Sequence, residues 1–421
     1  MNPPIKAKIF SSYQVFIIAI ISILQFSIIL DFMVLSPLGA ILMPELKITT
    51  TQFGWVVSAY AFSAGASGLL AAGFADKFDR KKILLFFYAG FLIGTVFCAF
   101  APDYPLLLTA RIVTGVFGGV IGSVSFAIIT DLFKFETRGR VMGFVQMSFA
   151  ASQILGLPIG LVLANQFDWH APFWMIAMFG LVVGALIFIY MKPIDGHLKL
   201  KPDRNAFQHL IKIFSKPDYL KAFFCTSLLA TGGFMLMPFG SAFSTNNLGL
   251  TLAQLPLVYS ITGLFSMGTG PLIGKLSDQL GKFKVFVWGS IVAMIMVAVY
   301  TPLGITPLWV IIAISVVMFT GVSSRMISSS ALVSAIPAPQ DRGAFMSVNS
   351  SVQQISGGVA SAMAGMIVIQ RPDGLLDGYP FLGYVVIGTM IMTMAMMYWI
   401  DRHVRAISKR DINNVILAEV A

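Results

Sequence analysis

Asp31 is the acidic residue best placed to do chemistry. Of the 18 Asp and Glu residues in the chain, seventeen fall in loops, tails or helix ends. Asp31 alone lies well inside an apolar run, Ile28-Ile29-Leu30-Asp31-Phe32-Met33-Val34. A charge near the centre of a bilayer costs about 2.5 kcal/mol or more, so the neutral form of a lone carboxyl is the cheaper one there. Such a group is equipped to take up a proton in one conformation and release it in another. Arg111 lies inside a second apolar run, Leu107-Leu108-Thr109-Ala110-Arg111-Ile112-Val113-Thr114-Gly115. An arginine close to Asp31 favours the carboxylate, so a fixed ion pair is the competing arrangement. The two readings coexist if the pair forms in only one state. Asp31 and Arg111 are assigned to proton coupling on this ground.

Arg325 is the second cation inside a span, with no acid of its own half at that depth. It is expected to meet an anionic substrate group or backbone carbonyls. Gln25, Tyr60, Phe234, Tyr259, Asn349 and Gln353 are further cavity candidates. Asn349 and Gln353 share a helix face at i, i+4 spacing, and bonds between helices are the alternative use of both. His170, His197, His209 and His403 are scattered without metal-ligand spacing, and Cys98 and Cys225 sit in apolar runs as packing residues. No metal cluster, phosphate-binding glycine loop or nucleophile triad is visible in the sequence. No enzyme is expected, and no cofactor beyond the proton as coupling ion.

The elements that must hold these residues are long and apolar. The 421 residues are 57% hydrophobic and 11% charged, against roughly 25% charged in soluble domains. The apolar residues come in runs of the length that crosses a bilayer as a helix. Twelve spans are expected: 13–43, 54–74, 82–100, 104–132, 140–163, 171–191, 219–243, 255–276, 283–300, 308–336, 345–369 and 382–400. The chain thus reads as an all-α membrane protein with 12 transmembrane helices in two six-helix pseudo-repeat bundles. Residues 1–191 form the first bundle, 192–218 a cytoplasmic linker, and 219–421 the second bundle with a short polar tail. In the linker, Phe207, Leu210, Ile211 and Phe214 have the spacing of an amphipathic helix, with a flexible linker as the alternative.

Charge sets the orientation. The net charge is +10, and 24 of the 28 lysines and arginines fall on one side of the expected spans, against Lys47 and Arg371 on the other. That bias marks the first side as cytoplasmic, with both termini inside. It also points to an anionic lipid leaflet rather than nucleic acid. A multi-pass protein of a bacterial inner membrane is expected, acting as a monomer on a small-molecule substrate and protons. The apolar run after Lys6 and Lys8 is too long for a cleaved leader, and is read as the first helix.

Two echoes divide the chain. The loop Ala72-Gly73-Phe74-Ala75-Asp76-Lys77-Phe78-Asp79-Arg80-Lys81-Lys82 returns as Gly274-Lys275-Leu276-Ser277-Asp278-Gln279-Leu280-Gly281-Lys282, with Asp76 and Asp278 202 positions apart. Glu136-Thr137-Arg138-Gly139-Arg140 returns as Gln340-Asp341-Arg342-Gly343-Ala344 at an offset of 204. Two echoes at nearly the same offset indicate duplication of a unit.

Two six-helix halves with charged loops after helices 2 and 8 resemble the major facilitator superfamily over nearly the whole chain. Its loop pattern, Gly-x-Leu-Ala-Asp-Arg-x-Gly-Arg-Lys, is met here by Asp76, Lys77, Arg80 and Lys81, with Ala72 and Asp79 in place of its two glycines. The second loop keeps Gly274, Asp278 and Gly281. The resemblance implies a conformational latch in which Asp76 caps helix 11 and Arg80 pairs with Asp131, with Asp278 as the counterpart of Asp76. The segment around Arg111 is similar to a family pattern of a membrane arginine followed by glycine, with Thr114 where glutamine is usual. Gly156-Leu157-Pro158-Ile159-Gly160 is similar to the exporter motif Gly-Pro-x-x-Gly-Gly with the proline one place late; close helix packing is its other use. Drug–proton antiporters of the family share the acid in helix 1 and the arginine in helix 4. The resemblance implies alternating access about a central site and, on the Asp31 argument, proton-driven efflux of amphipathic small molecules. The rivals are a proton symporter for uptake of a sugar or organic anion, and a non-transporting sensor or assembly protein.

Overall fold

A computed structural model of the chain describes residues 10–133, 135–199, 211, 213–338 and 341–420. The first half comprises α1 (Ser12–Glu45), α2 (Thr50–Phe74), α3 (Arg80–Ala99), α4 (Tyr104–Leu132), α5 (Phe135–Ala151), α6 (Leu157–Gln166) and α7 (Ala171–Tyr190). The second half comprises α8 (Pro217–Phe234), α9 (Gly240–Asn246), α10 (Leu255–Leu280), α11 (Lys282–Tyr300), α12 (Leu308–Val333), α13 (Arg342–Ile367) and α14 (Tyr379–Val420). A two-stranded hairpin, β1 (Ile369–Gln370) with β2 (Leu376–Asp377), joins α13 to α14. Arg371 and Asp377 pair across it. Helices α5 and α6 form one span, and α8 and α9 another, so the described residues make up twelve helical units, as expected.

Eleven helices among the described residues are long and apolar enough to cross a membrane. α13 falls outside that set because its sequence is polar, with Asn349, Gln353, Gln354 and a run of serines. It packs along α2, helix to helix, instead of presenting a uniformly apolar surface. Backbone groups in hydrocarbon need internal partners, and the helix starts supply them locally. Ser11 with Gln14 and Thr49 with Gln52 make reciprocal caps. Asp79 and Asp103 accept from the amides of Lys82 and Leu106 at 2.9 and 3.0 Å.

Two spans are broken where proline demands it. Pro158 has no N–H and crowds the carbonyl four residues back, and the turn before it, Ser152–Gly156, widens to a π helix. Pro238 interrupts the seventh span, which passes through the 3-10 turn Met237–Phe239. The carbonyl of Phe234, freed by Pro238, accepts from Ser361 Oγ at 3.4 Å, and that of Leu236 from the Tyr379 hydroxyl at 3.3 Å. The sequence reading had run this span straight from 219 to 243.

Other departures are at the edges. The tail from Asp401 continues α14 as helix to Val420. Of the expected linker helix, Phe207, Leu210 and Lys212 lie outside the described residues. Before them the segment makes only a 3-10 turn, Gly196–Lys199.

The halves meet along a seam. Thr50 and Thr51 hydroxyls of α2 donate to the carbonyls of Val368 and Gly365 at 2.6 and 2.8 Å. Ser58 Oγ donates to Gly358 O at 2.8 Å. The close approach requires glycine: a Cβ on Gly54 would stand 3.1 Å from the Gly365 Cα. Elsewhere on the seam Ser241 Oγ reaches Ser36 O at 3.0 Å, and Asn165 Nδ2 reaches Leu252 O at 2.9 Å. Four of these bonds, all but that of Ser58, lie toward the face opposite the one that carries most of the basic residues.

Candidate functional site

Asp31 and Arg111 come together in the first half. Arg111 Nη1 donates to Asp31 Oδ2 at 2.7 Å and lies 3.3 Å from the Asp31 carbonyl oxygen. Both side chains are 0% exposed. The other carboxylate oxygen, Oδ1, accepts from Thr95 Oγ1 of α3 at 3.2 Å, and the same hydroxyl lies 3.0 Å from Phe91 O. Thr95 has one proton and two acceptors. With the carboxylate charged, the hydroxyl proton can point to Asp31. With the carboxyl protonated, Asp31 can donate to Thr95 while Thr95 donates to Phe91. The site therefore has a hydrogen-bond pattern for each protonation state without moving a heavy atom. The Thr95 contribution escaped the sequence reading, since a threonine in an apolar helix carries no signal of its own.

Around the pair lies a chain of rings. The Arg111 guanidinium sits over Tyr60 of α2, 4.6 Å from its centroid. Tyr60 lies 5.2 Å from Phe32, and Phe32 lies 5.8 Å from Phe234 of α8. Phe234 rests on α13, where a Cβ on Gly357 would come within 2.9 Å of its ring. Of the cavity candidates, Tyr60 and Phe234 thus join the Asp31 site, and they link it to the second half.

The motif glycines of the fifth span face the same helix as Asp31. A Cβ on Gly156 would stand 2.5 Å from Leu30 Cδ1, and one on Gly160 3.0 Å from Val34 Cγ2. Ser148 and Ser152 add hydrogen bonds to the carbonyls of Ser22 and Phe26 on α1, at 2.6 and 3.0 Å. Pro158 is buried beside them. This span and α1 therefore pack backbone to side chain on both flanks of Asp31.

The remaining candidates scatter. Gln25 is partly buried and faces Gly122 of α4, whose Cβ position lies 4.0 Å from its amide nitrogen. Asn349 accepts from Thr226 Oγ1 at 2.7 Å, a bond between α13 and α8. Gln353 is part-exposed on α13. Tyr259 is packed against the large apolar cluster that includes Tyr300 and Tyr379. Arg325 is 3% exposed, with its guanidinium 5.7 Å from the Phe286 ring of α11. Its Nε and Nη2 have no hydrogen-bond partner in the structure.

On the basic face, Arg80 Nε meets Asp131 Oδ2 at 2.9 Å, and Arg80 Nη1 donates to Ala75 O at 3.1 Å. Asp79 Oδ2 accepts from the Ile194 amide at 2.8 Å and Lys81 Nζ donates to Phe188 O at 2.8 Å. These bonds fasten the charged loop to the end of α7. The Asp76 backbone lies in the 3-10 turn Ala75–Lys77; its side chain lies outside what the structure describes. Asp278 is 75% exposed and lies 3.7 Å from Lys282 in its own loop. In the second half Asp341, from the second echo, is buried and takes hydrogen bonds from Lys216 and from the Tyr219 hydroxyl, the latter at 3.0 Å.

Comparison with known proteins bears on the family and the fold. The sequence profile of the Major Facilitator Superfamily matches residues 21–361. The chain is 27% identical over 369 residues to YceJ of Bacillus subtilis (strain 168), an uncharacterized MFS-type transporter, spanning 87% of this chain and 93% of that one. It is 31% identical over 152 residues to Multidrug resistance protein 3 of the same organism, which covers 36% of this chain and 30% of that protein. Among solved structures it is similar to a bacterial homolog of the human lysosomal transporter Spinster in an inward-facing, occupied conformation, with a TM-score of 0.68 at 16% identity over 95% of this chain and 98% of that one. The nucleoside transporter NupG, solved as a point mutant, gives 0.69 at 14% identity over 91% and 98%.

Proposed function

The chain belongs to the Major Facilitator Superfamily, and we propose that it is a proton-coupled exporter of amphipathic small molecules working by alternating access. The observation that carries this reading is the Asp31–Arg111 pair, sealed from solvent at 2.7 Å and wired through Phe32 to the second half. Protonation of Asp31 removes the charge that holds Arg111. The freed α1 and α4 then shift against each other, and Phe32 carries that shift to Phe234. Arg80 with Asp131 forms the latch on the basic face, which the charge bias makes cytoplasmic, with Asp76 as the cap of the eleventh span and Asp278 as its counterpart in the second half. The seam bonds from Thr50, Thr51, Ser241 and Asn165 support a state closed on the opposite face.

The named likeness to Multidrug resistance protein 3 supports the export direction. The test is transport of a cationic dye such as ethidium in everted membrane vesicles under an imposed pH gradient. The wild-type chain accumulates the dye when the lumen is acid, and Asp31→Asn does not. Survival of coupled flux in Asp31→Asn would overturn the assignment.

The symport reading keeps one observation in its favour, the unpartnered Nε and Nη2 of Arg325, a fork that suits a carboxylate. Under it, right-side-out vesicles take up an organic anion together with protons, and Arg325→Gln abolishes uptake.

A further inference from the structure

A lipid-facing groove of about 270 Å³ opens between α10, α11 and α12, and none of its lining residues belongs to the Asp31 site. Ile273 and Leu276 form one wall, Val285 and Trp288 the other, and Gly289 and Gly321 the floor. Trp288 is 68% exposed along its length. The depth of the floor comes from backbone contact, since a Cβ on Gly289 would stand 2.9 Å from the Gly321 carbonyl oxygen.

The groove ends at the turn where α10 hands over to α11, on the basic face. Lys282 and Lys284 follow that turn, and Asp278 before it lies 3.7 Å from Lys282. Two cations thus stand beside one carboxylate. Gly281 makes the turn with φ +99°, and no side chain caps the start of α11, so the helix dipole adds the same sign.

An occupant must be apolar along its length and negative at one end. A helix, 10–12 Å across with side chains, is too thick for a groove of this volume. We infer that the groove binds one anionic phospholipid, with an acyl chain along Trp288 and over the glycine floor, and the headgroup phosphate on Lys282 and Lys284. Zwitterionic lipids offer the same chain but a neutral head. A lysine at an anionic lipid surface is worth about fivefold in affinity, so the selectivity resides in the lysines and the chain site in the glycines.

The experiment uses the full chain in vesicles, with Trp288 kept and the other five tryptophans changed to Phe. Quenching by brominated phosphatidylglycerol is compared with quenching by brominated phosphatidylcholine at equal mole fraction. The expected result is stronger quenching by the anionic lipid at low mole fraction. That preference falls about fivefold in each of Lys282→Gln and Lys284→Gln, and rises in Asp278→Asn. Equal quenching by both lipids, or a preference that survives both lysine changes, overturns the inference. If the tryptophan variant does not fold, native mass spectrometry of the unaltered chain replaces it. Retained phosphatidylglycerol adducts that disappear in Lys282→Gln/Lys284→Gln support the site, and adducts unchanged by that pair overturn it.

Discussion

The ring of Phe32 lies 5.8 Å from that of Phe234, one residue along the chain from the buried carboxyl of Asp31. It is a contact between the halves placed next to the charge whose neutralisation is proposed to drive them. An aromatic pair contributes about 0.5–1.5 kcal/mol beyond its buried area. Phe32→Ala should therefore slow proton-driven dye transport by up to about tenfold. Equilibrium dye binding to the purified protein should change much less. Equal losses in both would make the ring a substrate contact instead.

Removing one partner of the sealed pair leaves an uncompensated buried charge. Arg111→Gln and Asp31→Asn should each destabilise the protein, the second by about 3–5 kcal/mol. The double variant should lose less than the two single losses added. Thermal unfolding in detergent measures all three. Additive losses would mean that the pair does not interact in solution.

The fifth span tolerates no side chain at Gly156, because Leu30 occupies that space. Gly156→Ala should cost about 1–3 kcal/mol through overpacking, and Leu30→Ala should recover part of it. The paired change is checked by the same unfolding assay. Absence of rescue would place the strain elsewhere in the π turn.

Asn165 and Leu252 touch across the seam. Asn165→Cys with Leu252→Cys, joined by a short cleavable thiol cross-linker, should arrest transport, and cleavage should restore it. Transport that continues in the linked form would show that this edge of the seam need not part.

The Lys216–Asp341 contact sets a pH limit outside the membrane spans. The hydrogen bond to Asp341 holds the Lys216 ammonium above its ordinary value of 10.5. A raised folded value means that the stabilisation is present in full below the unfolded value and fades as pH rises through the folded one. Stability should therefore stay level in this respect from pH 7 to about 10, then decline. Lys216→Met should lower it at every pH and remove that alkaline limb. Unfolding temperature followed between pH 7 and 11 reads both effects.

The twelve spans were legible because a lipid solvent leaves its length printed in apolar runs. Asp31 and Arg111 were legible because charge is rare at that depth. Their partners were less so. Thr95, Phe32 and the Gly156–Leu30 contact depend on which faces of α1, α3 and α6 meet, and an apolar helix in lipid has little hydrophobic asymmetry to mark a face. The break before Pro238 was within reach, since the proline was visible. What the sequence left unsaid was that Ser361 and Tyr379 stand ready for the carbonyls it frees. Asp341 showed up as an echo of Glu136, but its burial against Lys216 and Tyr219 depends on α8 arriving beside it.

The complete enclosure of Asp31 and Arg111 has a consequence for the cell's energy supply. In this conformation the carboxyl is closed off from solvent on both sides, so under the proposed coupling an idle copy offers H⁺ no leak. A cell can then carry many such copies at rest without draining the gradient that powers its other work.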